Sequence, residues 1–386
     1  MTSDKKFKLL LNTMIVTVLS LLLFLSSCPE EPDNYDDSDT TSHDFLWETY
    51  TFGDLASNDL NDVVVVDENN IWAVGEIFVY DPDSSWNGTG IETFNAVHWN
   101  GTEWEYIHIR GSLMNDTGPL YSIWYFDDND IWVSSGCPEH WDGTKWTLYH
   151  LWDMGILSND DGGVYRIWAS SPSNIYFVGY KGSIVHYDGK NFRKMESGTD
   201  SPIVDIWGIN KDNIWAIAVT NIIDDNHPFG YEDIWFHFNG ESWRRKYTAS
   251  PGDKFVYSPT KLSGYLSPSV WAYRDTVYIP AFSGLWKESI KTGKGKLIHG
   301  YINSDFIMDG RLWKISGTSY NDIICMTIWG ELFHYNGNGW AHITLLMEQF
   351  PEISLYNLSI RGNQLVLVGS LGSYSSAVII RGHHVK

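Results

Sequence analysis

The chain has 386 residues, a formal net charge of −22 and an aromatic content of 15%. Such an acidic surface is repelled by nucleic-acid phosphates and has no favourable electrostatic interaction with anionic lipids. We therefore exclude nucleic acid as a partner and expect membrane contact only through an anchor. The three cysteines have no spacing typical of a zinc or redox site, and we expect no metal or other cofactor. Cations, neutral sugars and basic protein surfaces remain open as partners.

Residues 1–27 have the layout of a secretion signal. A basic start (Lys5, Lys6, Lys8) precedes an apolar stretch at 9–25, and two serines then lead to Cys28. This arrangement resembles the lipobox of bacterial lipoproteins, whose cysteine is acylated and becomes the N-terminus after cleavage. The resemblance implies lipidation at Cys28, and two or three acyl chains anchor stably where one does not. The alternative is an uncleaved membrane helix, since the apolar stretch is nearly long enough to span a bilayer.

Residues 28–44 are rich in carboxylates and contain no Lys or Arg. Such a segment cannot bury enough apolar surface to fold, so we predict an acidic, disordered tether. It resembles the acidic stretch that follows the cysteine in surface-exported lipoproteins of Bacteroidetes-type bacteria. The resemblance implies a protein anchored in the outer membrane of the cell envelope and facing outside. The alternative is a spacer that keeps the body clear of the headgroups.

The rest of the chain, residues 45–386, consists of degenerate repeats. Each copy begins with a short apolar strand, a polar turn and a second strand that ends near Gly, as in YRIWASSPSNIYFVG. Seven copies start at Asp62, Tyr121, Tyr165, Val204, Ser269, Leu312 and Tyr356. Most copies add an apolar strand, an Asn-Gly or Asp-Gly pair and an aromatic residue, as in HWDGTKW. We read these pairs as tight two-residue hairpin turns with positive φ at both positions.

Each copy is therefore predicted to form four antiparallel strands, A to D. Such a sheet cannot bury both faces alone, and radial stacking of the copies solves this. The sequence predicts an all-β fold: a single β-propeller with seven four-stranded blades, each of about 49 residues. The last copy lacks its outermost strand, and the N-terminal segment 45–52 (FLWETYTF) has the pattern to supply it and close the ring.

The repeat resembles the bacterial repeat propellers of secreted and surface proteins, and more distantly the Asp-box hairpins of sialidases and the Kelch blades. Because such propellers serve many functions, a functional prediction must come from a site. Aromatic residues at fixed repeat positions, such as Trp132 and Trp215, are more simply explained as packing between blades. We expect Cys137 and Cys325, in distant repeats, to be unpaired.

The irregular segments are the functional candidates. The A–B and C–D turns lie on one side of the ring, here called the tight-turn face, and the B–C and D–A connections lie on the opposite, long-loop face. Nearly all long connections belong to the long-loop face, and rigid scaffolds commonly bind through such loops. The predicted long loops are 76–95, 111–119, 151–163, 219–233, 249–268 and 299–310. Aromatic, carboxylate and amide side chains suit sugar rings, so we predict these ligand-binding residues: Tyr80, Asp81, Asp83, Trp86, Trp152, Asp153, Asp160, Asp161, Asp224, Asp225, His227 and Tyr231.

Calcium binding and glycan catalysis have less support in the sequence than ligand binding. The segment 81–88 alternates oxygen-bearing side chains as a calcium loop does, but lacks the distal Glu of an EF-hand. A sialidase would need an arginine triad, for which Arg110, Arg166 and Arg274 are the candidates, since they could reach the long-loop face. Loop carboxylates could serve a glycoside hydrolase or lyase, although their number does not establish a catalytic geometry.

The function that the sequence favours is a lipid-anchored, non-catalytic binding protein, and we expect a monomer. Its partner would be a glycan or a protein held on the long-loop face. The alternatives are a glycan-active enzyme and a scaffold subunit of an envelope complex.

The anchor can be tested with Cys28→Ala. Because the thiol is the acylation site, the variant should leave the membrane fraction or stall before cleavage, which fractionation and gel mobility would report. Unchanged partition together with unchanged mobility would exclude lipidation.

Overall fold

A computed structural model describes residues 41–55, 57–83, 90–109, 118–224, 227–249, 269–281, 284–300, 312–327, 330–343, 352–372 and 375–385. The predicted signal segment 1–27, Cys28 and all of the tether before Thr41 lie outside these residues. Within them, the one helical element is a 3-10 turn, Tyr180–Gly182, and no helix is long and apolar enough to cross a membrane.

The described strands form seven four-stranded antiparallel sheets. In chain order they are β1 Phe45–Phe52, β2 Asp59–Asp67, β3 Asn70–Tyr80, β4 Ile91–Trp99, β5 Trp104–Ile107, β6 Ser122–Asp127, β7 Asp130–Ser134, β8 Pro138–Trp141, β9 Trp146–Leu148, β10 Val164–Ser171, β11 Asn174–Gly179, β12 Ile184–Tyr187, β13 Phe192–Met195, β14 Ile203–Asn210, β15 Asn213–Asp224, β16 His227–Phe238, β17 Trp243–Ala249, β18 Trp271–Tyr273, β19 Thr276–Ala281, β20 Gly284–Ser289, β21 Gly295–Gly300, β22 Leu312–Ser319, β23 Asp322–Thr327, β24 Leu332–Tyr335, β25 Trp340–Ile343, β26 Ile353–Arg361, β27 Gln364–Leu371 and β28 Ser376–His384. Blades 1 to 6 take four consecutive strands each, from β2 to β25, and blade 7 has the order β26-β27-β28-β1.

The seven sheets form a closed β-propeller, as predicted. The first strand of each blade contacts the first strand of the next, from β2 and β6 around to β22, β26 and back to β2. The buried apolar residues fall into seven clusters, one at each boundary between neighbouring blades. Each blade thus buries its two faces against its neighbours, which is why a single sheet of this kind cannot be stable alone.

The N-terminal strand closes the ring. β1 pairs antiparallel with β28 in unbroken register, from Phe45 opposite His384 to Phe52 opposite Ala377. Phe52 is buried in the cluster between blades 7 and 1, and Trp47 packs over Gly382. Contacts with the ring begin before β1, since the side-chain amide of Asn336 donates to the carbonyl of Thr41.

The Asn-Gly and Asp-Gly pairs do connect strands C and D, but not as the predicted turn type. In blade 1, Trp99 pairs with Trp104, so the loop has four residues instead of two. Gly101 has φ of +91°, whereas Asn100 is not among the described residues with positive φ. The Asn100 side-chain oxygen accepts the backbone N–H groups of Thr102 and Glu103, and this local capping explains the preference for Asn or Asp.

Two of the predicted long loops are prolonged hairpins. In blade 1, the segment predicted as a loop from Glu76 continues β3 as far as Tyr80, which pairs with Ile91. In blade 4, β15 and β16 continue pairing until Asp224 lies opposite His227. Both hairpins therefore extend beyond the body of their blades, on the long-loop face. Pairing satisfies their backbone groups, which an irregular loop would leave to water.

The repeat aromatics and cysteines behave as predicted where they are described. Trp132, Trp168 and Trp215 are buried at boundaries between blades. Cys137 and Cys325 are both buried free thiols, and burial raises their pKa values, which keeps them protonated.

Loss of β1 should open the ring. Deleting residues 45–52 removes an eight-pair ladder with β28 and the buried Phe52 ring, so we expect a large fall in the free energy of unfolding, measured by urea denaturation.

A point substitution tests the same contact between β1 and β28. A β-carbon on Gly382 would lie 2.5 Å from the Trp47 ring, so Gly382→Ala should lower the free energy of unfolding by about 1–3 kcal/mol.

Gly339→Ala is the matched control, because nothing lies within 4 Å of its added β-carbon. Its effect should stay within about 0.5 kcal/mol. A chain that lacks residues 45–52 and unfolds at the same urea concentration would contradict the shared seventh blade.

Candidate functional site

One polar side chain from the innermost part of each blade points to the central channel, and together the seven form a ring at one level of it. We call it the polar belt, and its members, in blade order, are Asp62, Ser122, Arg166, Asp205, Ser269, Lys314 and Asn357. Each directly precedes the equivalent apolar residue of its blade, as Asp62 precedes Val63 and Ser122 precedes Ile123. Two carboxylates and two cations make the belt neutral in formal charge.

A β-bulge places five of these residues. In blades 1, 3, 4, 6 and 7, the pairing register between the first two strands of the blade shifts by one residue immediately before the belt residue. These belt residues are Asp62, Arg166, Asp205, Lys314 and Asn357. A bulge leaves one residue out of the ladder and turns the next side chain. The belt residues consequently bond sideways to neighbouring blades instead of along their own sheet.

Asp62 is the most fully bonded member. One carboxylate oxygen accepts the Ser122 hydroxyl at 2.7 Å and the Ile123 N–H at 3.0 Å. The other oxygen accepts the Asn357 amide at 2.6 Å, which links blades 7, 1 and 2. Burial raises the pKa of Asp62, while Arg166 and these hydrogen bonds act in the opposite direction.

The remaining charges link the other blades. Lys314 Nζ lies 3.3 Å from Asp205 Oδ1, and these side chains are only 8% and 14% exposed. The second Asp205 oxygen accepts the Val270 N–H at 3.1 Å. Arg166 donates to the carbonyls of Tyr121 and Val204, in the blades on either side. Burial lowers the pKa of Lys314, and Asp205 opposes this effect.

A cavity of about 290 Å³ lies on one side of the belt. Its lining residues start at the belt and continue along each innermost strand toward the A–B turns, so it faces the tight-turn face. Trp124, Tyr125 and Trp207 form aromatic parts of its wall, and Arg361 lies near the turn end of β26. Trp124 and Trp207 approach each other across the channel at 6.4 Å between ring centroids. Apolar walls with a few polar groups are typical of small-ligand pockets.

A row of tyrosines lies on the other side of the belt, on the long-loop face. The rings of Tyr121 and Tyr165 meet edge to face at 4.9 Å, and those of Tyr165 and Tyr180 at 4.7 Å. Tyr180, in the B–C turn of blade 3, is 54% exposed. Burial raises the pKa values of Tyr121 and Tyr165, with smaller effects from the neighbouring tyrosines and, for Tyr121, from Asp59, so both hydroxyls remain donors.

The predicted binding residues of blade 1 lie at the end of the β3–β4 hairpin. Tyr80 is 57% exposed, and Asp83 is exposed beside it. The Asp81 carboxylate accepts the Asp83 N–H at 3.0 Å, which forms a local turn. Trp86 and most of the proposed calcium segment lie outside the described residues.

The predicted residues between blades 2 and 3 form a compact loop. The Trp152 indole donates to the Ser158 carbonyl at 3.0 Å and packs partly on the core beneath. Asp161 pairs with Lys194 at 2.6 Å, and Asp153 pairs with His150 at 3.1 Å. Asp160 is exposed. Trp152 and Asp161 thus have structural partners, which a sequence pattern does not reveal.

In blade 4 the structure gives backbone positions only. Asp224 is the last residue of β15, and His227 and Tyr231 lie in β16. Asp225 lies outside the described residues.

The arginines proposed for a sialidase triad do not converge. Arg166 belongs to the belt, whereas Arg274 lies in the β18–β19 turn, on the tight-turn face, with its guanidinium 5.5 Å from the Tyr273 ring centroid. Arg110 lies outside the described residues. The expectation that Arg166 and Arg274 could reach the long-loop face together is wrong, because they lie at different levels of the channel.

Sequence reasoning missed the belt and the tyrosine row. The signal for the belt was available: every repeat copy has a polar residue before the same apolar position, as in SIW, RIW and DIW. The signal for Tyr180 was weak, because a lone tyrosine after a glycine has no repeat partner.

No protein-family model matches the chain, and no curated protein matches it. Solved structures share the fold at low sequence identity. YCF48 bound to D1 peptide has 12% identity and a TM-score of 0.58, covering 90% of this chain and 98% of its own. YCF48 from Cyanidioschyzon merolae has 13% identity and a TM-score of 0.55, covering 87% and 98%. The WD40 β-propeller domain of Doa1 has 10% identity and a TM-score of 0.53, covering 88% and 98%. An extracellular domain from B. thetaiotaomicron has 11% identity and a TM-score of 0.55, covering 86% of this chain and 39% of its own.

The belt can be tested at Lys314. Lys314→Met leaves Asp205 without its buried cation, so the free energy of unfolding should fall by about 3–5 kcal/mol in urea denaturation. Lys291→Met is the control, because Lys291 is 79% exposed beside Asp275 and exposed pairs contribute at most about 1 kcal/mol. Equal losses in the two variants would show that the belt is not a stabilising network.

Proposed function

We propose that the protein is a lipid-anchored, non-catalytic binding protein of the bacterial cell envelope. Acylated Cys28 would hold it in the outer membrane, the acidic tether would space it from the headgroups, and the ring would face outside. The ligand, a glycan or a segment of another protein, would bind on the long-loop face.

The tyrosine row is the observation that carries this proposal. Three rings in edge-to-face contact form a preorganised surface, and Tyr180 presents its ring to solvent. Tyrosine rings provide a large contact area at a small entropic cost, and their hydroxyls donate hydrogen bonds. Such a surface stacks on sugar rings and equally on the side chains of a peptide.

The blade 1 hairpin adds a second contact on the same face. The N–H of Leu120 donates to the carbonyl of Gly75, so the start of blade 2 is tied to the β3 strand near the base of this hairpin. Tyr80, at the far end of β3, is one of the most exposed large side chains in the described chain. Exposed aromatic residues on a rigid scaffold are typical of binding surfaces.

The comparisons support a binding function at a coarse level. YCF48, which has the same fold, was solved with a bound peptide, and another structure of similar fold is an extracellular domain. A protein or peptide partner is thus compatible with this architecture. A glycan partner is supported by the chemistry of the tyrosines alone.

Two alternatives make different predictions. A glycan-active enzyme would use loop carboxylates and release product. A scaffold subunit of an envelope complex would bind another envelope protein, with no affinity for isolated glycans.

Face-specific variants test the proposal. The chain from Thr41 onward is screened on glycan and peptide arrays, and the best ligand is titrated against Tyr180→Ala and Tyr80→Ala. We expect each variant to weaken binding about tenfold or more, since a contact aromatic contributes roughly 1–3 kcal/mol, with the melting temperature nearly unchanged because both rings are exposed.

Arg361→Ala is the control on the tight-turn face, at the channel cavity. It should bind as the parent does. If Arg361→Ala loses binding while both tyrosine variants retain it, the binding site belongs to the cavity instead. Release of reducing ends from a bound polysaccharide would replace the binding function with an enzymatic one.

A further inference from the structure

Three potential metal ligands meet where the last strand of the chain reaches blade 6. Asp322 is the first residue of β23, His334 lies in β24, and His384 is the last residue of β28. Their side chains are 2%, 0% and 5% exposed. We call them the aspartate–histidine cluster. They come from separate strands of two blades, so the sequence shows no ligand spacing.

Part of this cluster is an ordinary feature of the repeat. In blade 2, His140 Nε2 lies 2.9 Å from Asp130 Oδ1, and the equivalent pair in blade 3 is similar. His334 and Asp322 occupy the same positions, 3.1 Å apart. This pair alone stabilises a blade and indicates no ligand. Blade 6 differs because His384 of blade 7 joins the pair.

The hydrogen bonding of His384 leaves a lone pair directed into the cluster. Its Nδ1 lies 2.9 Å from the carbonyl oxygen of Ser42, which can only accept, so Nδ1 carries the proton of the neutral ring. Its Nε2 lies 3.6 Å from Asp322 Oδ1 and has no hydrogen-bond partner among the described residues. Two buried acceptors that face each other are unfavourable unless a cation lies between them. A carbonyl that holds the distal N–H is also the usual support of a metal-bound histidine.

The distances from Asp322 to the two histidines are close to those around a small tetrahedral cation. Bonds of about 2.0–2.1 Å to zinc place neighbouring ligands about 3.3 Å apart. Asp322 Oδ1 lies 3.1 Å from His334 Nε2 and 3.6 Å from His384 Nε2, and the three ligand atoms lie within 4.8 Å of one another. Two imidazoles and one carboxylate form a ligand set that zinc favours.

The surroundings can support a bound ion. His43 Nδ1 lies 3.1 Å from His334 Nδ1, so the His334 ring can hold its proton there and keep Nε2 free for a metal. Thr41 Oγ1 lies 3.3 Å from His334 Nε2, so one further oxygen lies near the cluster. The Phe45 ring lies 4.2 Å from the His384 ring and shields the cluster from water.

We propose that the aspartate–histidine cluster is a structural zinc site with Asp322 Oδ1, His334 Nε2 and His384 Nε2 as ligands. The ion would join β28 and the segment before β1 to blade 6, and so reinforce the closure of the ring. The cluster lies toward the tight-turn face, so the proposal is independent of the ligand on the long-loop face.

Metal titration tests the site. The full-length protein, solubilised in detergent and carrying no histidine tag, is stripped with a chelator and titrated with ZnCl₂ by calorimetry. We expect one zinc ion per chain and a higher melting temperature with zinc. His384→Gln should weaken zinc binding by at least ~100-fold, and His43→Ala by ~10–100-fold, as is typical of outer-shell residues.

His140→Gln is the matched control, because it alters the same repeat pair in a blade where the described residues supply no third ligand. It should bind zinc as the parent does. Absence of zinc binding by the parent, or equal binding by the parent and His384→Gln, would overturn the proposal. If His384→Gln does not fold, the absorption spectrum of the Co²⁺-loaded parent decides: tetrahedral bands support the site and octahedral bands exclude it.

Discussion

The pairing of β1 with β28 is the interaction on which the rest of the structure depends. Each blade is stable only because both of its faces are covered, and a ring gives every blade two neighbours. Without β1, blade 7 would present the open edge of β28, and the apolar cluster between blades 7 and 1 would lose Phe52. Unpaired strand edges are sites of aggregation. The two ends of the chain thus stabilise the whole propeller by sharing one blade.

Closure also determines the chemistry of the centre. Seven innermost strands converge on a narrow channel, where the polar groups of the belt have little access to water. Their charges are tolerated because every carboxylate accepts hydrogen bonds from an adjacent blade and the cations balance the carboxylates. The belt separates the cavity on the tight-turn face from the tyrosine row on the long-loop face.

At both faces of the ring, the residues that differ from the repeat pattern are the ones that indicate a specific chemistry. The His–Asp or His–Asn pair recurs in several blades and is structural, but His384 joins it in one place. Tyrosines near the starts of the innermost strands are also partly structural, while Tyr180 extends them into solvent. A repeat protein gains specific chemistry where its copies differ, because the shared positions are needed for packing.

The sequence by itself determined the number of blades, the four-strand unit and the contribution of residues 45–52 to blade 7. These depend on local alternation, turn residues and a count of copies, which are all visible along the chain. It also predicted buried repeat tryptophans and unpaired cysteines. The type of the C–D turn and the extension of the blade 1 and blade 4 hairpins depended on pairing partners, so sequence patterns misjudged them. The polar belt, the tyrosine row and the aspartate–histidine cluster were decided only by the tertiary structure, because ring closure brings together residues from different blades and from opposite ends of the chain.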